Sequence, residues 1–426
     1  MWLVFVDGPA NCTPAYLSAR QNNLKVMTIW FDRIAHSDGD KHILCKNKDP
    51  KNIISQVKEL IPSEAILGFI GFTDSMIPIA GLLNSTLEIP GPYSYEKALM
   101  SKNKLSMREL LKDDPFNPKF FPLYYENESL NDLEKFRKYD FNVPWIIKPI
   151  FGHASIGVRK ISSFDELKNT MPELHDANSK MLESIYGLDE NYIRNVKSTF
   201  LLESYFEGAE FSVELLILNE KIFPLEVCSK SEMKEPYFEE VTYVAPAEIS
   251  TELREILFGH ATQIVKKMGI NNTCAHVEFR WNGQQSCFLD IGLRAGGGGL
   301  THKLIEISSG RQLFSAWFKA LKNTSHEISL KSSSKNTALL YLAQIGSGGT
   351  ILRFNLDKIP AELLALMEEY QLFNQPGDQL TGYPNYSGLP GYVLYRIDQK
   401  TSKDEKFKIQ NLIFESAKYF DPQYEV

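Results

Sequence analysis

Over the first 90 residues short apolar runs alternate with amphipathic ones. This predicts strands at Trp2–Val6, Lys25–Trp30 and Ala65–Phe72. Between and after them it predicts a helix opened by Thr13-Pro14, one over Lys51–Ile61, and one from Thr73-Asp74 to about Asn84. Strand and helix in alternation imply a small parallel α/β unit, closed by the turn signal Ile89-Pro-Gly-Pro92. Ligands of such sheets sit beyond the C-terminal ends of the strands, so the loop Asp7–Asn11 reads either as the floor of a site or as a plain turn.

Further on, Ser101 caps a predicted helix from Lys102 to Lys112, with Lys104 and Arg108 four residues apart on one face. Val143–Ile150 reads as a buried strand ending in Lys148-Pro149, and Val158–Ile161 as its return strand, with residues 151–157 as the tip. A capping box, Ser163 with Glu166, announces a helix, and a weakly patterned polar segment covers roughly 170–198. Phe200–Phe206 and Glu210–Leu218 then read as adjacent antiparallel strands joined by Glu207-Gly208-Ala209. In the second, Phe211, Val213, Leu215 and Ile217 share an apolar face and Glu210, Ser212 and Glu214 a polar one.

A hairpin follows over Ala275–Trp281 and Ser286–Leu293. With Gly283-Gln284-Gln285 as its loop, Asn282 pairs with Ser286, and Glu278 lies directly across from Asp290. Val277, Phe279 and Trp281 then share an apolar face with Cys287, Leu289, Ile291 and Leu293. The last unit alternates again: a strand over Thr337–Ile345, a Gly346–Gly349 turn, a strand over Thr350–Phe354, a helix at 360–370, a strand over Gly391–Ile397 and a terminal helix at 404–419. No chemistry concentrates in it.

Composition narrows the function classes. The chain has 426 residues, 43% hydrophobic and 23% charged, long enough for two to four packed units. A net charge of −7 without a basic run argues against a nucleic-acid-coating surface. The N-terminal apolar run is short and carries no basic leader, and no segment approaches a membrane span, so a cytoplasmic protein is expected. Five cysteines, Cys12, Cys45, Cys228, Cys274 and Cys287, form no CxxC pair, which fits reduced structural thiols.

Candidate chemistry lies in three stretches. The loop Gly152–Gly157, with Ala154 and Ser155, exposes backbone N–H groups suited to phosphate oxygens, and Lys148 adds a positive charge beside them. A plain hairpin with a snorkelling lysine is the alternative, and the Gly-Lys-Ser/Thr ending of a Walker loop is missing. Cross-strand carboxylates at Glu278 and Asp290, with Cβ atoms about 5 Å apart, repel unless a cation joins them. Oxygen-only ligands suit Mg²⁺ or Mn²⁺, with Arg280 or Arg294 as the metal-free alternative. Arg294 sits in Gly292-Leu-Arg-Ala-Gly-Gly-Gly-Gly299, where four glycines permit close approach of a ligand and the guanidinium offers a fork to phosphate or carboxylate.

Together these stretches resemble the ATP-grasp superfamily of carboxylate–amine ligases, most closely the branch of L-amino acid (dipeptide) ligases and carnosine synthase. The resemblance covers nearly the whole chain. It implies an α/β protein, α+β in its centre, with the ATP-grasp fold: an N-terminal parallel unit at 1–100, a two-lobed nucleotide-binding domain at 101–330 (lobes at about 101–200 and 201–330) and a C-terminal α/β subdomain at 331–426. By resemblance, Lys104 and Lys148 are phosphate lysines and Gly152–Gly157, with Ser155, is the loop over the phosphates. Glu203 and the backbone near Tyr205 and Phe206 meet adenine, Glu210 holds the ribose, Glu278 and Asp290 are the metal carboxylates, and Arg294 steadies the transferred phosphoryl group. Ala154 departs from the usual glycine, Asp290 from the commoner glutamate, and Gly292 from a frequent asparagine ligand.

The implied activity is ATP- and Mg²⁺-dependent amide formation between a small carboxylate and an amine, of the amino-acid class, through an acyl phosphate. A homodimer is compatible with it. Residues 226–248, with Lys230, Lys234 and Glu239, are expected to border the substrate pocket or to form a surface loop. The alternatives within the superfamily are a carboxylase-like or purine-type ligase, or a nucleotide-binding module without turnover.

Overall fold

A computed structural model describes the chain except for residues 9–12, 32–33, 35–37, 47–48, 126–133, 135, 138–143, 186, 232–236, 323–329, 331, 333–335, 383–385, 399–404 and 426. The N-terminal unit is a four-stranded parallel sheet in the order Lys41–Leu44, Lys25–Trp30, Trp2–Val6, Ile66–Gly71. Its helices include Thr13–Gln21, Pro50–Leu60 and Ile77–Thr86. Pro50 stands in the first turn of its helix behind the Asp49 cap, as its missing N–H and fixed φ favour. The edge strand Lys41–Leu44 is too short and too polar to announce itself in the sequence.

Besides a small three-stranded sheet of Gln379–Leu380, Gly349–Arg353 and Gln423–Tyr424, two larger sheets form the rest of the frame. A four-stranded antiparallel sheet runs Phe120–Tyr124, Thr199–Ser204, Trp145–Pro149, Arg159–Ile161. An eight-stranded antiparallel sheet runs Ser286–Gly292, Thr273–Trp281, Ala209–Leu218, Lys221–Lys230, Thr242–Ala245, Asn336–Leu342, Gly391–Asp398, Met367–Leu372. Strands from the last hundred residues therefore extend the sheet that carries the carboxylate hairpin. Phe211, Val213, Leu215 and Ile217, with Val277, Phe279, Phe288 and Ile291, face the helix Thr251–Met268 and merge with the core of the N-terminal unit. That helix is capped by Ser250 and stopped by Gly269 in the left-handed region at φ 62°.

Several sequence expectations change. Thr199–Ser204 and Ala209–Leu218 are not neighbours; they belong to different sheets, and residues 205–208 cross between them. The physical reason is that Phe200, Leu201 and Leu202 are buried on both faces of their strand, which demands a central position rather than a hairpin edge. The polar segment after residue 163 forms two helices, Phe164–Glu183 and Glu190–Lys197, capped by Ser163 and Asp189. The helix after the N-terminal unit begins at Lys104 behind Asn103, whose side chain accepts from Ser106 N, so Ser101 is not its cap. Residues 361–366 are helical, but 367–372 continue as a strand. Among the described residues no helix is long and apolar enough to cross a membrane. Cys45, Cys228, Cys274 and Cys287 are free and buried, whereas Cys12 lies outside the described residues.

The crossing segment depends on Gly208, whose φ is 154° and where a Cβ atom would stand 2.3 Å from the carbonyl oxygen of Trp281. Gly208→Ala is expected to destabilise the protein by about 1–3 kcal/mol, since strain of this kind has no flexible neighbour to absorb it. Urea unfolding of the variant beside the wild type checks this, and equal midpoints would count against it.

Candidate functional site

A cavity of about 900 Å³ lies where the sheets converge. Asp7 and Phe72–Met76 line it from the C-terminal strand ends of the parallel sheet, and Ile146 and Lys148 from the four-stranded sheet. Glu210, His276, Glu278 and Asp290 line it from the eight-stranded sheet, and Gln344 and residues 386–389 complete it. Of the loop expected as a floor, Asp7 reaches the cavity, while Pro9, Ala10 and Asn11 lie outside the described residues.

Its cations are held in place before any ligand arrives. Lys104 leaves the start of its helix, ties its backbone N–H to Ile150 O (2.7 Å) and places Nζ 2.8 Å from Asp290 and 3.2 Å from Gly152 O. Lys148 Nζ lies 2.8 Å from Glu203, whose other oxygen accepts from Arg108 Nε at 2.7 Å. Arg108 also donates to Leu289 O at 2.7 Å and is wholly buried, so the shared face expected for Lys104 and Arg108 divides into a cavity lysine and a core arginine. Burial alone would raise the Glu203 pKa, but Arg108 and Lys148 outweigh it and hold the group ionised below its ordinary range. Burial lowers the Lys148 pKa, with Glu203 opposing.

The small-residue loop is as tight as its composition suggests. Ala154 and Ser155 take φ of 52° and 54° and Gly157 of 74°, with Ile156 N donating to His153 O and Val158 N to Ser155 O. Ala154 thus adopts by strain the conformation that glycine adopts freely. Ser155 Oγ donates to Phe238 O at 3.2 Å across the cavity mouth. His153, not foreseen from sequence, lines the cavity; burial pushes its pKa down to about 4, so it is neutral.

Glu278 and Asp290 are cross-strand partners, as the sequence indicates. The turn is shifted by one residue, however: Trp281 pairs with Ser286, and a bulge at Leu289 restores the register. Asn282 Oδ1 accepts from Gln284 N and Gln285 N, which makes 282–285 a self-contained turn and excludes the expected pairing of Asn282 with Ser286. The outer faces are consequently exchanged. Phe288 enters the core beside Phe279, whereas Cys287 and Leu289, expected there, line the cavity.

Neither Arg280 nor Arg294 neutralises the carboxylate pair. Arg280 binds Glu210 (3.2 Å) and Phe206 O, and Arg294 binds Asp74 and Ala295 O. Lys230 binds Glu278 (2.5 Å), Glu240 (2.9 Å) and Glu210 (3.1 Å), while Lys104 binds Asp290. Lys230 and Glu239, expected at the border, are a buried cation at its floor and a lining residue; Lys234 lies outside the described residues. His276 bridges Glu214 (Nδ1, 2.5 Å) and Glu278 (Nε2, 3.0 Å). Burial would lower its pKa, but Glu214 and Glu278 prevail and push it up to about 9, so the ring is an imidazolium. Glu214 also accepts from Thr301 Oγ1, which accepts from Gly296 N, and a Cβ atom on Gly296 would stand 2.1 Å from His276 Nδ1. One reason for the glycine run is therefore this ring.

Lys102 and Asp74 escape a sequence reading because they meet only in three dimensions, at 2.6 Å, with Arg294 on the other carboxylate oxygen. Burial opposes ionisation of Asp74, but Arg294 and Lys102 hold its pKa well below the ordinary range. His276 was accessible to pattern alone: it is two residues from Glu278 on the same strand face. Tyr205 and Phe206 line the cavity in the crossing segment, next to Ile146, Cys287 and Leu289. Those side chains supply apolar surface, with Lys160 and Arg280 over the Tyr205 ring at 4.5 and 5.3 Å, whereas Lys104, Lys148, Asp290 and Arg294 supply charge.

Among the described residues no group of three or more His, Cys, Asp or Glu is arranged to hold a metal ion. Glu278 spends only Oε1 on Lys230 and His276, so with Asp290 facing it the pair nevertheless fits Mg²⁺, which takes one or two carboxylates and completes its shell with phosphate oxygens and water.

Residues 141–302 match the ATP-grasp domain family. No curated protein matches the chain. Solved structures do: an L-amino acid ligase from Bacillus licheniformis superimposes with a TM-score of 0.82 at 21% identity, covering 100% of this chain and 99% of that one. Phosphoribosylglycinamide synthetase from Anaerococcus prevotii gives 0.67 at 16% identity, with the same coverage of both chains. N5-carboxyaminoimidazole ribonucleotide synthetase from Thermotoga maritima also gives 0.67 at 16%, again over 100% and 99%. At these identities the likeness establishes the ATP-grasp fold.

The glycine run is anchored by His302, which is buried with its ring tilted against Phe314 at 4.6 Å between centroids, with Nδ1 donating to Gly299 O and Nε2 left without a partner. Burial, and then Lys303, push its pKa down to about 3, below the unfolded value, so its contribution is present above about pH 6.5 and lost as pH falls. Relative to a His302→Phe variant, the wild type should lose on the order of 3 kcal/mol between pH 7 and pH 4. Parallel stability curves for the two proteins in urea would contradict this.

Proposed function

The chain carries an ATP-grasp domain, and from that premise we propose that it is an ATP-dependent ligase that joins a small carboxylate to an amine, both of the amino-acid class. The observation that carries the reading is the facing pair Glu278 and Asp290, set in one cavity with Lys104 and Lys148. In this reading Lys104, Lys148 and the N–H groups of Gly152, Ser155 and Gly157 hold the polyphosphate. The base lies on the apolar surface, against the backbone of Tyr205 and Phe206. Glu203 retains lone pairs for the adenine amino group beyond those that Arg108 and Lys148 occupy, and Glu210 accepts from the ribose hydroxyls.

Glu278 and Asp290 would hold Mg²⁺ or Mn²⁺, which when bound supplies charge neutralisation on the phosphates. A carboxylate oxygen attacks the γ-phosphorus and the bond to the ADP oxygen breaks, giving an acyl phosphate. An amine then attacks the acyl carbon, the C–O bond to phosphate breaks, and the nitrogen loses a proton as the amide forms. Lys104, Lys148 and Arg294 hold the charge that spreads over the transferring group, in a cavity where fixed cations act more strongly than in water. The L-amino acid ligase superimposes with a higher TM-score than the two purine-pathway synthetases, 0.82 against 0.67, which favours amino-acid substrates.

A screen of amino-acid pairs with ATP and Mg²⁺, read as ADP and phosphate release, tests the reading; hydroxylamine in place of the amine should trap a hydroxamate of the acid. Lys148→Ala should lower turnover by about 2–4 kcal/mol in activation free energy. Glu278→Gln should abolish acid-stimulated ADP formation and leave the fold intact. ADP formation driven by bicarbonate instead of a carboxylic acid would turn the assignment to a carboxylase. Tight ATP binding with neither ADP nor hydroxamate would leave a module without turnover.

A further inference from the structure

One residue of the cavity wall, Gln344, lies where the sequence suggested no chemistry. It is only 6% exposed. Its backbone N–H donates to Asp421 (2.8 Å), and its Nε2 donates to both Leu342 O (2.8 Å) and Glu240 O (3.0 Å). Those two carbonyls fix which end of the amide is which, and Oε1 is left as a buried acceptor with no partner. A buried amide oxygen without a donor costs on the order of 1–3 kcal/mol, so its persistence asks for a donor from outside the chain.

The surroundings specify the charge of that donor. Glu239 and Glu240, the latter also bound by Lys230 at 2.9 Å, line the cavity beside Gln344, as does Tyr386, its phenol held neutral by burial and by those two carboxylates. Lys102, Lys104, Lys148 and Arg294 line the same cavity, each already paired with Asp74, Asp290 or Glu203. A cation beside Gln344 therefore meets two carboxylates, one of them shared with Lys230.

Resting on the ligase reading above, we propose that Gln344, with Glu239 and Glu240, forms a subsite for a positively charged nitrogen of the substrate. The cation is either the α-ammonium of an amino acid or the terminal ammonium of a basic side chain. Either presents N–H donors to Oε1 while its charge meets the carboxylates, and a neutral isostere would leave Oε1 unpaired.

The test pairs substrates that differ only in that nitrogen: L-alanine against propionate for the α-position, and L-lysine against L-norleucine for the side chain. Each is measured by ATP turnover and, independently, by calorimetric binding to the full chain loaded with a non-hydrolysable ATP analogue and Mg²⁺. Gln344→Met, of similar volume without the acceptor, should raise KM and Kd for the nitrogen-bearing member at least tenfold, with ATP affinity within twofold as the check that the fold survives. If the variant fails that check, Gln344→Asn, which keeps an amide but draws its acceptor back by one methylene, should weaken binding of the nitrogen-bearing member and leave that of its isostere unchanged. The arm that responds names the nitrogen. Wild-type turnover with no preference for the nitrogen-bearing member, or one that Gln344→Met leaves intact, overturns the subsite and spares the ligase. Gln344-dependent binding without turnover sinks the ligase and keeps the subsite, and neither binding nor turnover sinks both.

Discussion

Buried charge that must find a partner in another unit is the constraint on which this structure depends. Asp74, from the N-terminal unit, is held by Lys102 and by Arg294, which follows the last strand of the carboxylate hairpin. Glu203, in the four-stranded sheet, is held by Arg108, whose guanidinium also reaches Leu289 O in the eight-stranded sheet. Lys230 gathers Glu210, Glu240 and Glu278. Desolvating any one of these alone would cost several kcal/mol, so the three sheets are held in the one arrangement that satisfies them together. The cavity is the space these pairs surround.

A single strand shows how the site and the core share one stretch of chain. Along Ala209–Leu218, alternate residues Phe211, Val213, Leu215 and Ile217 build the largest apolar cluster, and Glu210, Ser212 and Glu214 build the polar floor. The period-2 geometry of an extended backbone makes the division automatic. Packing on one face then fixes the aim of the carboxylates on the other, because neither can rotate without the other.

That same periodicity explains what was legible in the sequence. The parallel unit, the lysine before the small-residue loop and the facing of Glu278 with Asp290 all follow from local pattern. Of the partners of Glu278, Lys230 did not, being 48 residues away, and His276 did by its position but not by its charge, which depends on Glu214. The neighbour of Thr199–Ser204 was misread because a three-residue link suggests a hairpin, whereas burial of both faces of that strand is a tertiary fact. Gln344 was invisible: an amide two residues past an apolar strand acquires meaning only when Leu342 O and Glu240 O consume its nitrogen.

The bulge at Leu289 separates the hairpin into two mechanically independent parts. Toward the tip, Asn282–Gln285 is exposed and held by its own side chain; toward the cavity, the pairing of Glu278 with Ser212 on the neighbouring strand fixes the register without reference to the turn. In an ordinary hairpin one added or deleted residue would turn every side chain on the strand to the opposite face. Here a change of length at the tip can be taken up at the bulge before it reaches Asp290. The exposed turn and the facing of Glu278 with Asp290 are thereby held by different contacts along one hairpin.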